Sequence, residues 1–446
     1  MIINTIIFLE WTQIKTLNFI SKHRQHITAL PNSKVTMKLS VIIVNYKVPK
    51  LLRQCLFSVT EACRNFKTQT DFESEIIVVD NKSEDNSAEL VRSNFPAVQL
   101  IENTENVGFS KANNQGFNIS KGEYILLLNP DTIVPEDLFT DTISFADKKE
   151  NFGALGVKLI DADGNFQPES KRAYPTPARS FYKLFGLSHI FPNSERFNSY
   201  RLDKLSAGGI HEIEILSGAF MLMGREAAEK TRLLDESFFM YGEDIDLSYR
   251  ILQAGFQNYY YGKKSVLHYK GESTKKDSHK YISVFYSAMK IFADKHFFQT
   301  QFMKWFIKTG IFLRQTIAHS TLVFKRALSR IKENPNLKSD EKKILIIGSK
   351  SSARIVKKIL TGNKLNFKIQ SIYDVPINPE TIDSCNALSE VMQQLDINEI
   401  IFDIREQKLS CFFYLLKQTE TSPLSFYTLC SKQNVIFGNS RYISDK

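Results

Sequence analysis

From Leu39 onward, short runs of Val, Ile and Leu alternate with longer amphipathic stretches: LSVIIVNY, then LLRQCLFSVTEAC, then EIIVVD, VQLIEN and YILLLNPD. Near-continuous apolar runs of this length predict strands buried on both faces, and the stretch between the first two predicts a covering helix. Such an α/β sheet binds its ligands beyond the carboxyl ends of its strands. The polar residues that close the runs therefore matter most.

A second block, GALGVKLIDADGNFQPESKRAYPTPARSFYKLFGLSHIFP, contains an Asp-Gly turn signal at Asp163 and Gly164 and then a Pro-punctuated basic and aromatic stretch, read as a loop over a site. EIEILSGAFMLMGRE predicts a strand, and FFMYGEDIDLSYRILQAGF a helix that starts near Glu243 and stops at Gly255. Between Lys280 and Lys332 the chain turns aromatic and basic, with ten Lys or Arg against the single acid Asp294. Charges recur too often there for a spanning helix, which needs about 20 predominantly apolar residues. Two readings remain: an amphipathic segment in the headgroup region of an anionic membrane, or a helical hairpin packed on the protein with a solvated basic face. NPNLKSDEKK reads as a linker. KILIIGSKSSARIVKKIL, FKIQSIYD, INEIIFD and PLSFYTL then repeat the strand and helix alternation, predicting a small Rossmann-like unit whose first loop has only Gly348 where a dinucleotide fingerprint needs three glycines.

At 446 residues the chain is long enough for several domains. The expected division is an extension over 1–36, a first α/β domain over 37–274, a helical membrane-proximal segment and linker over 275–338, and the small unit over 339–446. Met37 directly precedes the first strand and reads as a natural start, which would leave 1–36 outside the native protein; a peripheral N-terminal helix is the alternative. The apolar opening is broken by Glu10 and Lys15 and lacks the layout of a signal peptide. Hydrophobic residues at 43% exclude a disordered chain. A net charge of +10 is compatible with nucleic acid, but equally with the phosphates of nucleotide sugars, lipid pyrophosphates or membrane surfaces. The five cysteines, Cys55, Cys63, Cys385, Cys411 and Cys430, form no CxxC pair and fit a reducing cytoplasm.

Several residues carry candidate chemistry. Asp80 ends a buried strand, where a carboxylate is either the N-cap of the next helix or a ligand for a base or ribose. Asp131, after YILLLNP, is aimed at the sheet edge where Mg²⁺ or Mn²⁺ bridging a diphosphate would sit. The segment ENVGFSKANNQGF, with Gly108 and Gly116, is either a phosphate-approaching loop or a plain turn and helix start. Glu243, Asp244 and Asp246 are either first-turn acids favoured by the helix dipole, with Asp246 paired to Arg250, or the source of a general base. His268 is either a metal ligand or a structural hydrogen bonder.

In this order and spacing, SVIIVNY, VVDNKSEDNS, NVGFSKANNQG, LLLNPDT, LSGAFMLM and FFMYGEDIDLSYRILQAGF resemble the family 2 glycosyltransferases of the GT-A fold, nearest to bacterial rhamnosyltransferase-like members that extend cell-surface polysaccharides. The likeness spans about Lys38 to Thr274. It implies that Val44, Asn45, Tyr46 and Asp80 hold the base and ribose of the donor, joined by Asn106, Gly108 and Lys111. Asn129, Pro130 and Asp131 stand where the family has its DxD element, with Asn129 replacing the first acid; Asp131 would bind Mg²⁺ or Mn²⁺, and His268 would complete the metal or diphosphate shell. Asp244 would be the general base, with Glu243 as runner-up, and Gly218 and Ala219 would line the acceptor side. The implied reaction is inverting transfer from a nucleoside-diphosphate sugar to an oligosaccharide or lipid-linked acceptor, at the inner face of a bacterial plasma membrane, without a nucleic-acid partner. The rivals are a sugar-phosphate nucleotidyltransferase, against which SVIIVNYKVPK lacks a glycine-rich nucleotide loop, and a non-catalytic scaffold, against which Asp80, Asp131 and Asp244 are intact.

Overall fold

In the computed structural model the strongest apolar runs form the centre of a mixed sheet. The structure describes residues 36–176, 200–270, 279–296, 308–317, 319–321, 342–363, 367–373, 399–404, 407–418, 425–430, 435–438 and 441–444, with isolated positions at 179, 190, 191, 194, 365 and 397. The expectations for residues 1–35, for most of the loop over 177–199 and for the linker fall outside them.

Strands β1 (Met37–Asn45), β2 (Glu73–Asp80), β3 (Gln99–Glu102) and β4 (Tyr124–Leu128) are mutually parallel, with Asn45 opposite Asp80 at their carboxyl ends. Their helices are α1 (Pro49–Thr70), α2 (Ser87–Asn94) and α3 (Phe109–Ile119). Pro49 opens α1, where its fixed φ suits the first turn and its missing N–H costs nothing. A Cβ on Gly116 of α3 would lie 2.6 Å from the Ile42 side chain, so this glycine serves close helix-to-sheet packing, not a phosphate.

After β4 come the two-residue β5 (Thr132–Ile133), α4 (Leu138–Ala146), β6 (Phe152–Ile160), β7 (Ile210–Glu212), β8 (Phe220–Gly224), α5 (Arg225–Thr231), α6 (Glu243–Gln253) and β9 (Gln257–His268). The sheet order is β3-β2-β1-β4-β8-β6-β9-β5, with β7 also on β9. Only β5, β7 and β8 run against the rest. The anticipated single strand over EIEILSGAFMLMGRE is therefore β8 alone, preceded by an irregular segment. The Asp-Gly turn forms as expected: Gly164 has φ +82° and its N–H donates to Asp161 O. Helix α6 begins at Glu243 as the acidic run predicts, and Gly255, φ +89°, follows its end.

Helix α7 (His279–His296) turns its apolar side inward, burying Ala288 and Phe292 against Phe238. Residues 308–317 are helical and run back along it, with Asp294 paired to Lys308 at one end and His279 stacked on His319 at the other. For α7 this is the packed hairpin, not an apolar face offered to lipid. No helix among the described residues is long and apolar enough to cross a membrane.

A second sheet follows. β10 (Lys342–Ile347), β11 (Phe367–Tyr373), β12 (Glu399–Asp403) and β13 (Ser425–Cys430) are parallel in the order β11-β10-β12-β13, with α8 (Lys350–Gly362) and α9 (Leu409–Gln418) between them. Two short antiparallel strands, β14 (Val435–Gly438) and β15 (Arg441–Ser444), extend it beyond what the pattern predicts. Ser349 caps α8 by accepting from Ser351 N and Ser352 N.

Candidate functional site

The topology gathers the polar strand ends on one edge. Because β1, β2, β4 and β9 point the same way and β8 runs back from that edge, Asn45, Asp80, the Asn129–Asp131 turn, His268 and Gly218–Ala219 all lie at the carboxyl side of the sheet.

On the first side of this edge, Asp80 accepts from Asn45 Nδ2 at 2.8 Å, Ser83 Oγ at 2.6 Å and Ser83 N at 3.0 Å. It braces the loop after β2 and does not cap α2, whose N-cap residue is Asn86. Asn45 is fully buried, and its Oδ1 has no partner, an acceptor left over at the strand end. Val44 packs with Val79 and Ala112, while Tyr46 is half-buried beside Lys47. Asn106 accepts from Asn81 Nδ2 and Gly108 N, so it shapes the loop ahead of α3. Gly108, φ +87°, lies against the Phe239 backbone, where a Cβ would come within 2.9 Å of the carbonyl oxygen; the position demands glycine. Lys111 is exposed in the first turn of α3.

In the middle, β5 pairs antiparallel with the end of β9, Thr132 opposite His268. This register brings His268 Nε2 to 3.5 Å from Asp131 Oδ1, both side chains buried. Gln167, absent from the sequence reading, completes the arrangement: its Nε2 donates to His268 O at 2.7 Å and its Oε1 faces His268 Nδ1 at 2.9 Å. With the amide in that orientation His268 Nδ1 is the donor and Nε2 is left facing Asp131, the outer-shell arrangement common to metal-binding histidines. No cluster of three or more His, Cys, Asp or Glu suited to a metal occurs among the described residues. One carboxylate and one imidazole suit a cation that takes its other ligands from phosphate and water, so the residues fit Mg²⁺ or Mn²⁺ held jointly with a diphosphate. Cys55, below the turn with its Sγ on Asn129 O, is no nucleophile, since burial pushes its thiol up to about 12.

On the far side, the first turn of α6 carries two adjacent carboxyls in different surroundings. Asp244 Oδ2 accepts from the Arg172 guanidinium, which also donates to Leu216 O, and from Gly218 N at 3.3 Å; Oδ1 accepts from Ile245 N at 2.8 Å. Glu243 is buried with Oε2 unpartnered. Burial, then the negative charge of Asp244 beside it, pushes its carboxyl well above the usual carboxylate range. Asp246, the third acid, is fully buried among Arg250, Lys295 and His296 and fastens α7 to α6. That is the structural i,i+4 pair anticipated for it. Gly218 and Ala219 join the two sides: Gly218 N holds Asp244, while Ala219 O accepts from Asn129 N at 3.0 Å. Arg172, like Gln167, lies in a stretch where neighbouring Lys171 and Glu169 are equally polar, so sequence alone does not distinguish it.

Comparison with known proteins bears on this edge. Residues 40–231 match the family model "Glycosyl transferase family 2". The N-acetylglucosaminyl-diphospho-decaprenol L-rhamnosyltransferase of Mycobacterium tuberculosis is 27% identical over 275 residues, covering 59% of this chain and 86% of the relative. The low-salt glycan biosynthesis hexosyltransferase Agl10 of Haloferax volcanii is 27% identical over 217 residues, 48% of this chain and 61% of its own. The rhamnosyltransferase WbbL of Escherichia coli is 28% identical over 148 residues, 33% and 52% respectively. Among solved structures, S. aureus TarS 1-349 is similar at 17% identity and a TM-score of 0.38, covering 68% of this chain and 76% of that one.

Proposed function

We propose that the chain, whose residues 40–231 match the model of the family 2 glycosyltransferases, moves sugar from a nucleotide donor, with inversion, to a hydroxyl of a lipid-linked glycan in cell-surface polysaccharide synthesis. The observation that carries this reading is the shared edge on which the Asp131–His268 pair and the Arg172-held Asp244 are linked through Gly218 and Ala219.

In this reading Asn45, Asp80 and the Asn106–Lys111 loop receive the nucleoside, and Asp131 and His268 face the diphosphate. Asp131 and His268 would hold Mg²⁺ or Mn²⁺ there, which would neutralise charge on the leaving group. Arg172 and Gly218 N orient Asp244, which takes the proton of the acceptor hydroxyl. That oxygen bonds to the anomeric carbon as the bond from the carbon to the diphosphate oxygen breaks. A single displacement inverts the anomeric configuration. Glu243, whose burial beside Asp244 favours its protonated form, is the weaker candidate for the base. The lipid-linked acceptor is supported by the name of the Mycobacterium tuberculosis relative.

Purified protein given a panel of nucleotide sugars, Mn²⁺ or Mg²⁺, and polyprenyl-diphosphate-linked sugars should release nucleoside diphosphate in step with acceptor glycosylation. Pyrophosphate release from a nucleoside triphosphate and a sugar phosphate would instead identify a nucleotidyltransferase. Absence of both activities would leave the scaffold reading.

Attachment to an anionic membrane, on the cytoplasmic face, belongs to the same proposal. It is supported by Phe312, Leu313 and Ile317, more than half exposed on the helix that runs back along α7, with Arg314 between them. The full chain should sediment with phosphatidylglycerol-containing vesicles, less so at high salt. Combined Phe312→Ser and Leu313→Ser, both at exposed positions, should release it to the supernatant; equal sedimentation of that variant would refute this attachment.

A further inference from the structure

The strand that begins just after Asp131 is too short to place a metal ligand by itself. β5 has two residues, makes two register pairs with β9 and lies at the end of the sheet. An edge strand held by two register pairs is weakly fixed unless something packs against it. What covers this edge is the second sheet. Ile133, Ile160, Leu267 and Tyr269 from the first sheet share one buried core with residues of β10, β12, α9 and β13, including Phe402 and Leu416.

Two polar contacts make this cover specific. Leu409 N, at the start of α9, donates to Glu136 Oε1 at 2.6 Å, fixing the segment that leaves β5. Tyr269 is buried; its N–H donates to Asp131 O at 3.0 Å, and its hydroxyl lies 2.6 Å from Thr428 Oγ1 on β13. Thr428 Oγ1 also accepts from the buried Gln54 of α1 at 3.3 Å. One residue of the second sheet therefore reaches the backbone of both Asp131 and His268 through a single side chain.

We infer that the C-terminal α/β unit is the positioning element of the donor site, holding the Asp131–His268 pair in register through the Tyr269–Thr428 contact. The inference rests on the reading above that this pair binds the cation with the donor diphosphate. Tyr269 and Thr428 are positioning residues: neither reaches the reacting atoms, and both act through the β5–β9 ribbon. The unit's place in the chain thus has a mechanical meaning. The catalytic fold is complete in strand count without it, but its metal edge is not fixed.

The test uses the full chain with Tyr269→Phe, Thr428→Val and the pair, reading the Mn²⁺ concentration for half-maximal UDP binding, donor KM and kcat, and melting temperature. Each single change should raise the required Mn²⁺ about 10-fold, the lower end of what loss of an outer-shell partner costs. The double variant should be no worse than Thr428→Val alone, because that change already removes the Tyr269 contact together with the Gln54 bond. Donor KM should rise with the Mn²⁺ requirement, and Thr428→Ser, which keeps the hydroxyl, should restore both. As a control, Ile359→Val loosens the other core of the second unit, where Ile359 packs with Ile346 and Val356 away from Tyr269, and should leave the Mn²⁺ requirement unchanged. If Tyr269→Phe and Thr428→Val lower the melting temperature yet leave the Mn²⁺ requirement and donor KM at wild-type values, the unit is only a structural appendage and the inference is overturned. If wild-type UDP binding ignores Mn²⁺ and Asp131→Asn alters nothing, the donor-site reading itself fails, and this inference with it.

Discussion

Asp244→Asn should lower turnover by roughly 10² to 10⁴ fold, the range usual for losing a general base, with donor affinity little changed. Asn keeps the size and one oxygen for Arg172 and Gly218 N but cannot accept the acceptor's proton. Its melting temperature should be measured alongside, because Arg172 and Asp244 form a largely buried ion pair and breaking such a pair can cost about 3 to 5 kcal/mol. Glu243→Gln is the matched control and should retain near-normal turnover, since burial beside Asp244 favours the protonated form of Glu243. The same carboxyl gives a pH signature. Its ordinary value is 4.5 and its folded value about 8. Between these limits the unfolded chain has lost a proton that the folded chain keeps, so this contribution to stability is full below 4.5, declines as pH rises and is gone above about 8. Glu243→Gln should remove that decline from the melting curve. Loss of turnover in Glu243→Gln with survival in Asp244→Asn would move the base to Glu243. Survival in both would return the two acids to helix-start electrostatics.

Asp131→Asn should weaken metal-dependent donor binding by more than the roughly 10- to 100-fold that loss of an outer-shell partner costs, because it removes the carboxylate that faces His268. Gln167→Leu should fall within that range: it frees the imidazole to change tautomer and turn, while His268 and Asp131 remain. Calorimetric titration of nucleoside diphosphate against increasing Mn²⁺ measures both. An unchanged Mn²⁺ requirement in Asp131→Asn would take Asp131 out of the site, and the same result for Gln167→Leu would leave His268 a structural hydrogen bonder.

The sequence by itself determined the first sheet's centre, because strands buried on both faces must be apolar almost throughout and helices between them must be amphipathic. It also placed Asp80, Asp131, Asp244 and His268 at element ends, where polar residues stand out against apolar runs. Tertiary structure alone decided what those residues touch. The opposite directions of β8 and β9 bring Gly218 and His268 to the same edge as Asp131. Gln167 and Arg172 gain meaning only from what they touch, since a polar side chain in a polar loop gives no periodic signal. The three acids of α6 look alike in sequence and differ only by neighbours: Arg172 for Asp244, burial beside the charge of Asp244 for Glu243, and Arg250, Lys295 and His296 for Asp246. The amphipathic pattern of α7 fits a membrane or a protein surface equally, and the buried contacts of Phe292 and Asp246 decide for the protein. The packing of β13 behind β5 has no sequence signature at all, because Tyr269 and Thr428 are 159 residues apart and meet only when two sheets share one core.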